Sequence, residues 1–105
     1  MSLSPSLSQT NWYVYLIRMP SNALYCGITT DVERRFYEHC SGRGAKALKG
    51  KSPLVLAWSH PAGHSRSEAS KLESRIKKLP KAKKERLVSF QSETSVTLDM
   101  VLIDY

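Results

Sequence analysis

A chain of 105 residues with 41% hydrophobic residues is long enough for one domain with a modest core and too hydrophobic for a disordered protein. Its 16 Lys and Arg against 9 Asp and Glu give a net charge of +7, which favours an anionic partner such as nucleic acid over a merely solvated basic face. No apolar run approaches the roughly 20 residues that span a membrane. Cys26 and Cys40 do not form a secreted disulfide framework. We therefore expect a cytoplasmic protein without a membrane partner.

The N-terminal part of the domain predicts a β-hairpin. Residues 12–17 are rich in aromatic and β-branched side chains, Pro20 marks a turn, and residues 23–28 form the return strand. Gly27 within that strand predicts a bulge or a close approach by another group.

The rest of the chain predicts helices around one further strand. Capping boxes begin helices at Thr30–Glu33 and Ser65–Glu68, and Pro80 separates the second helix from a shorter one. We expect an α+β fold with a small central antiparallel β-sheet of about three strands flanked by helices. The expected order is β-β-α-β-α-α, with an optional C-terminal strand at 96–103. The expected segments are a flexible tail at 1–11, the domain at 12–90 and an extension at 91–105, with a glycine- and lysine-rich loop at 41–53 and the third strand at 54–58.

One carboxylate lies in the apolar stripe of the second helix. Glu73 follows Ala69 by four residues and precedes Ile76 by three, so it shares their face. Burying a carboxylate is unfavourable unless it is paired or binds a metal. Glu73 is thus a candidate metal ligand, and an ion pair with Lys77, its i+4 neighbour, is the alternative.

The first helix carries an arginine and a histidine on one face. Arg35 and His39 are four residues apart, beside an apolar edge of Val32, Phe36 and Cys40. The planar guanidinium of arginine can bind two phosphate oxygens at once, and histidine can transfer protons near neutral pH. Taken alone, pairing of Arg35 with Asp31 and a surface position for His39 are the simpler interpretations.

Two tyrosines can share one side of the hairpin. Tyr15 and Tyr25 are candidates to position or deprotonate water if a nearby cation such as Arg35 lowers the phenol pKa. The alternative is that both are ordinary core aromatics.

Basic residues concentrate in the glycine loop and around Pro80, where they could contact phosphates. No sequence-reading element accompanies them, so binding should depend on nucleic-acid backbone or shape. The candidate contacts are Arg43, Lys46, Lys49 and Lys51 in the loop, and Lys77, Lys78, Lys81, Lys83 and Lys84 around the proline.

The order and spacing of these residues resemble the GIY-YIG nuclease family, and specifically its small stand-alone bacterial members. Tyr13-Val14-Tyr15 resembles the first motif, with Tyr13 in place of Gly. Tyr25-Cys26-Gly27 resembles the second, with Cys26 in place of Ile. Arg35 falls at the family's essential arginine, and His39 falls where the family has His or Tyr. Glu73 matches the metal-binding glutamate.

The resemblance covers about residues 12–88 and implies an endo- or exonuclease that hydrolyses phosphodiester bonds with one Mg²⁺ or Mn²⁺. It implies that Glu73 holds the metal, that Arg35 stabilises charge on the phosphate, and that Tyr15 or Tyr25 handles the attacking water with help from His39. DNA is the expected substrate, in repair or processing, and a protein partner could direct the enzyme. The identity of the base, the substrate structure and DNA versus RNA stay open. A non-catalytic nucleic-acid-binding module is the alternative.

Overall fold

Three strands and three helices form the part of the chain that the computed structural model describes, residues 10–89. The predicted α+β class and the order β-β-α-β-α-α are confirmed. The predicted strand at 96–103 and most of the N-terminal tail lie outside the described residues. The elements are β1 (Tyr13–Arg18), β2 (Leu24–Thr29), α1 (Val32–Cys40), a 3₁₀ turn (Lys46–Leu48), β3 (Val55–Pro61), α2 (Arg66–Lys77) and α3 (Lys81–Ser89).

The sheet is antiparallel, with β1 in the centre and the order β2-β1-β3. The hairpin turn closes through the N–H of Asn22, which donates to the Met19 carbonyl at 2.8 Å. In the resulting register Tyr15 stands opposite Gly27 of β2 and Ser59 of β3. Because side chains alternate along a strand, Tyr15 and Tyr25 project from the same face of the hairpin.

The two faces of the sheet are covered by different elements. We call the face under α2 and α3 the core face and the face under α1 the site face. The core face buries Val14, Leu16, Cys26 and Trp58 against Ala69, Ile76, Leu79 and Leu87. The site face buries Tyr15, Ile17 and Leu48, with Tyr25, Phe36 and Leu56 packed around them. The strands therefore contribute side chains to both faces of the sheet.

Side-chain caps set where the two longest helices begin. Ser65 caps α2 by accepting from the Glu68 N–H at 3.1 Å, as the second capping box predicts. The expectation for α1 is wrong by one residue, because Asp31 rather than Thr30 is the cap and accepts from the Arg34 N–H at 3.1 Å. Among residues 10–89, no helix combines the length and the apolar character that crossing a bilayer requires.

Candidate active site

The phenol of Tyr15 lies buried across the backbone of β2. Its side chain is 2% exposed, and its ring covers Gly27, the residue opposite it in the register. A Cβ at Gly27 would lie 2.6 Å from Tyr15 Cζ, so only glycine leaves room for the ring. The close approach predicted at Gly27 is therefore confirmed, and Tyr15 is the group that approaches.

His39 is buried beside that phenol. The surface position considered for His39 is wrong, since it is 2% exposed and its Nε2 lies 2.8 Å from Tyr15 Oη. Its Nδ1 accepts a hydrogen bond from the Ala45 N–H at 3.1 Å. The predicted apolar edge is wrong at Cys40, which is exposed. His39 follows Phe36 by three residues, so the inward-facing turn of α1 holds the imidazole instead.

Arg35 reaches the same phenol from one turn earlier on α1. Its guanidinium lies close enough to the Tyr15 phenol to lower the phenol pKa, and it forms an ion pair with Glu38, in which Nη1 lies 2.9 Å from the carboxylate Oε1. The pairing considered with Asp31 is wrong, because Asp31 caps the helix and contacts Arg34 at 3.8 Å. The Arg35 side chain is 36% exposed, so it combines contact with a buried oxygen and access to solvent.

Tyr25 completes the cluster at the edge strand of the sheet. Its ring meets the His39 ring edge-on, with centroids 5.8 Å apart, and the Tyr15 ring contacts the same imidazole at 5.8 Å. Tyr25 is half-buried, whereas Tyr15 is enclosed. The structure thus brings together four of the five candidate catalytic residues on the site face.

Burial keeps both central groups neutral. Desolvation raises the pKa of Tyr15 to about 12, although the Arg35 guanidinium beside the phenol opposes that shift. Burial and the nearby Arg35 charge lower the pKa of His39 below its ordinary value. At neutral pH the cluster therefore contains a phenol, an imidazole and one guanidinium cation.

Glu73 approaches the sheet from the other face. Helix α2 packs on the core face and contacts β2, the edge strand that carries Tyr25. The Glu73 carboxylate lies 3.3 Å from Lys77 Nζ, the ion pair considered as its alternative role, and its side chain is 21% exposed. It also acts on the Cys26 thiol, whose pKa rises to about 12 through burial first and Glu73 second. Glu73 thus lies at β2 but outside the hydrogen-bonded cluster.

Glu73 suits a metal site with few protein ligands better than a site enclosed by several. Within residues 10–89, no group of three His, Cys, Asp or Glu side chains could hold a metal ion together. Mg²⁺ commonly keeps several waters and uses one or two carboxylates plus substrate phosphate. A single, partly exposed glutamate is compatible with that mode.

The basic residues predicted to contact phosphate differ in their present contacts. Lys77 pairs with Glu73, and Lys81 donates to the Asn22 carbonyl and to Glu85, each at 2.6 Å. In the glycine loop, the Arg43 guanidinium lies over the Tyr37 ring at 5.8 Å, while Lys46 and Lys49 are exposed. The exposed loop cations are therefore better placed for a phosphate than Lys77 and Lys81.

The sequence analysis did not predict the groups that hold His39 and Arg35 in place. The loop backbone at Gly44 and Ala45 packs against the imidazole, and Glu38 holds Arg35. The donor to His39 is the backbone N–H of Ala45, which any residue except proline supplies, so the identity of residue 45 could not predict this hydrogen bond. The spacing of Glu38, three residues after Arg35, was a usable signal.

Fold and site together define a small α+β protein with a buried tyrosine–histidine pair, a partly exposed arginine beside it, and a glutamate-bearing helix that contacts the edge strand. A model of the GIY-YIG catalytic domain matches residues 11–86. A UPF0213 protein of Vibrio cholerae serotype O1 is 63% identical over 78 residues, covering 74% of this chain and 77% of that protein. The UPF0213 protein YhbQ of Escherichia coli O8 is 60% identical over 80 residues, covering 76% and 79%.

Solved structures agree with these matches. The solution NMR structure of UPF0213 protein BH0048 from Bacillus halodurans is similar with a TM-score of 0.50 and 38% identity, covering 84% of this chain and 93% of that chain. That of the E. faecalis protein EF2693 has a TM-score of 0.53 and 37% identity, covering 80% and 90%. The chain belongs to the GIY-YIG family.

Proposed function

We propose that this protein is a metal-dependent nuclease that hydrolyses phosphodiester bonds in DNA and recognises backbone or structure rather than base sequence. The observation that carries the proposal is the contact of His39 and Arg35 with one buried phenol, that of Tyr15. A structural core has little use for two polar groups converging on the oxygen of a third, whereas phosphate chemistry needs a cation and a positioned water. The net charge of +7 supports a polyanionic substrate. We place the activity in the cytoplasm, in DNA repair or processing.

The roles follow from the contacts of each side chain. Arg35 remains charged and reaches solvent, so it stabilises the negative charge that builds on the phosphate. Tyr15, with a pKa of about 12, is a phenol at neutral pH and orients the attacking water through its oxygen. His39 holds that oxygen at 2.8 Å. Tyr25 borders the cluster at the edge strand and contacts the substrate.

Glu73 is the residue that would hold the metal ion, Mg²⁺ or Mn²⁺. When bound, the ion supplies Lewis-acid stabilisation of a phosphate oxygen and the leaving group. Glu73 lies on α2, which packs on the core face and contacts β2, whereas Arg35 lies on α1 over the site face, so a phosphate bound by both groups would have to lie at the edge of the sheet. Lys46 and Lys49 in the glycine loop would bind phosphates of the nucleic acid. A protein partner could direct the enzyme to its cleavage sites.

Cleavage assays with matched variants test the proposal. Labelled single-stranded, duplex, nicked and branched DNA, with RNA counterparts, are incubated with Mg²⁺ or Mn²⁺. Glu73→Ala and Arg35→Ala should each lower the cleavage rate about 100-fold or more while DNA binding stays within a few-fold. Glu33→Ala and Arg34→Ala remove the same charges from exposed positions on α1 and should cleave like the wild type.

The alternative outcomes are distinct. Salt-sensitive binding of nucleic acid without cleavage in either metal would establish a non-catalytic binding module. Weak binding that is insensitive to salt would remove nucleic acid as the substrate.

A further inference from the structure

The loop after α1 closes tightly over the His39 ring. The Ala45 N–H lies 3.1 Å from Nδ1, and a Cβ added at Gly44 would overlap Nδ1 and lie 2.9 Å from Cε1. The Ala45 carbonyl accepts from the Leu48 N–H at 3.0 Å, and the Leu48 side chain is 1% exposed within the site-face cluster. Leu48 therefore anchors the segment that touches the imidazole on its C-terminal side.

This contact fixes where the imidazole proton lies. A backbone N–H can only donate, so Nδ1 of His39 must present its lone pair to Ala45. A neutral ring then carries its proton on Nε2, the nitrogen 2.8 Å from Tyr15 Oη. His39 thus donates to the phenol oxygen and cannot accept the proton of Tyr15 at that nitrogen.

We propose that Gly44 and Ala45 are positioning residues that hold His39 as its Nε2–H tautomer, so that the ring donates to Tyr15 and fixes the orientation of the phenol that positions the attacking water. This inference rests on the proposed nuclease function. Because His39 donates to that oxygen, the phenol's own proton points away from the imidazole.

The surroundings of the ring favour the neutral tautomer over the cation. The charged and titratable groups that face it are Tyr15 from β1, Tyr25 from β2, and Arg35 and Glu38 from α1. Glu38 is already paired with Arg35, so its charge is largely compensated at the imidazole. An imidazolium would also have to place an N–H against the Ala45 N–H, two donors facing each other.

The first test is the ¹⁵N NMR spectrum of the imidazole in the wild-type protein. At pH 7 the His39 nitrogens should show the neutral Nε2–H pattern, with Nδ1 unprotonated. A neutral Nδ1–H pattern or an imidazolium pattern would overturn the inference. This readout needs no cleavage, so a wild type that shows the expected spectrum and cuts no substrate would refute the proposed function and leave the tautomer assignment standing.

Two variants then test the loop itself. Gly44→Ala places a methyl group against Nδ1, and Ala45→Pro removes the N–H at a backbone φ of −61°, which proline adopts. Both should displace the His39 signals and lower kcat about tenfold or more with DNA binding unchanged. Proline at 45 also keeps the test decisive if Gly44→Ala fails to fold.

Gly42→Ala is the matched control in the same loop. Gly42 has a φ of +83° and nothing within 4 Å of an added Cβ, so alanine strains the backbone without touching the ring. It should keep the wild-type His39 spectrum and a rate within a few-fold. Equal damage from Gly42→Ala and Gly44→Ala would show that loop strain alone matters and would overturn the positioning role.

Discussion

The two faces of the sheet differ in what they bury. The core face encloses carbon-rich side chains under two helices, with Leu16, Ile76 and Leu87 each almost fully inaccessible. The site face is covered by one nine-residue helix and a loop, and it encloses a phenol and an imidazole. Because successive residues of β1 point to opposite faces, a single strand supplies both environments.

This division separates most of the apolar core from the cluster of Tyr15 and His39. Large apolar burial on the core face supplies the free energy that holds the sheet. The site face can then bury polar groups, whose burial is unfavourable unless they are satisfied by partners. Tyr15 and Leu16 are adjacent in sequence, yet they should respond to substitution in different ways.

The largest expected effect comes from breaking the core face. Leu16→Ala removes a side chain that is 0% exposed and should lower the free energy of unfolding by about 2–5 kcal/mol, through lost burial and a residual cavity. Urea unfolding followed by circular dichroism measures the loss. Val55→Ala, at a position 55% exposed on β3, should cost much less.

The activity of the folded fraction sharpens this comparison. At a temperature where Leu16→Ala remains folded, its cleavage rate per folded molecule should stay within a few-fold of the wild type. A specific loss of cleavage in a fully folded Leu16→Ala protein would show that the faces are not independent.

A smaller effect should appear on the site face at alkaline pH. Below pH 10 the folded and unfolded states both keep the Tyr15 proton. Between pH 10 and 12 the unfolded tyrosine loses it, while burial holds the folded pKa at about 12. Stability should therefore fall by about 2 kcal/mol as pH rises through this window. Urea unfolding at several pH values measures the fall.

Tyr15→Phe isolates this contribution, because it removes one phenol and leaves every other group that titrates above pH 9, including Cys26. The difference in stability between wild type and variant should change with pH between 10 and 12. A difference that stays constant over that range would contradict the raised pKa of Tyr15.

The strand and helix periods made much of the site predictable. Alternation along the hairpin put Tyr15 and Tyr25 on one face, and the spacing of four residues put Arg35 and His39 on one side of α1. Gly27 signalled a close approach in the strand. The apolar stripe of α2 predicted which helix face carries Glu73. The i+4 spacing suggested the ion pair with Lys77.

One failed prediction depended on a contact between distant segments, and another was local. His39 is buried because the loop at Gly44 and Ala45 folds back over it, and its partner Tyr15 lies 24 residues earlier in the chain. Thr30 and Asp31 are both good cap residues, so residue type did not decide between them, and the structure uses Asp31. The assignment of Lys81 to phosphate stays a prediction, and in the structure Lys81 forms an ion pair with Glu85.

That carboxylate gives the smallest and most pH-specific prediction, at the edge of the core face. Glu85 on α3 accepts two hydrogen bonds from Arg18 at the end of β1, both at 2.8 Å, and one from Lys81 at 2.6 Å. The Arg18 guanidinium, followed by Lys81, lowers the pKa of Glu85 to about 2. Solvent screening limits the net contribution, so Glu85→Gln should lower stability by about 1 kcal/mol at pH 7.

The sign of the pH dependence separates this ion pair from apolar packing. The Glu85 contribution is complete above the ordinary glutamate pKa of 4.5 and is lost as pH falls through about 2. Urea midpoints of wild type and Glu85→Gln should therefore differ at pH 7 and converge near pH 2, whereas Glu33→Gln, at an exposed position, should match the wild type at pH 7. A gap between wild type and Glu85→Gln that is unchanged at pH 2 would mean that Glu85 holds α3 against β1 by packing, and that the core face needs no charge to close it.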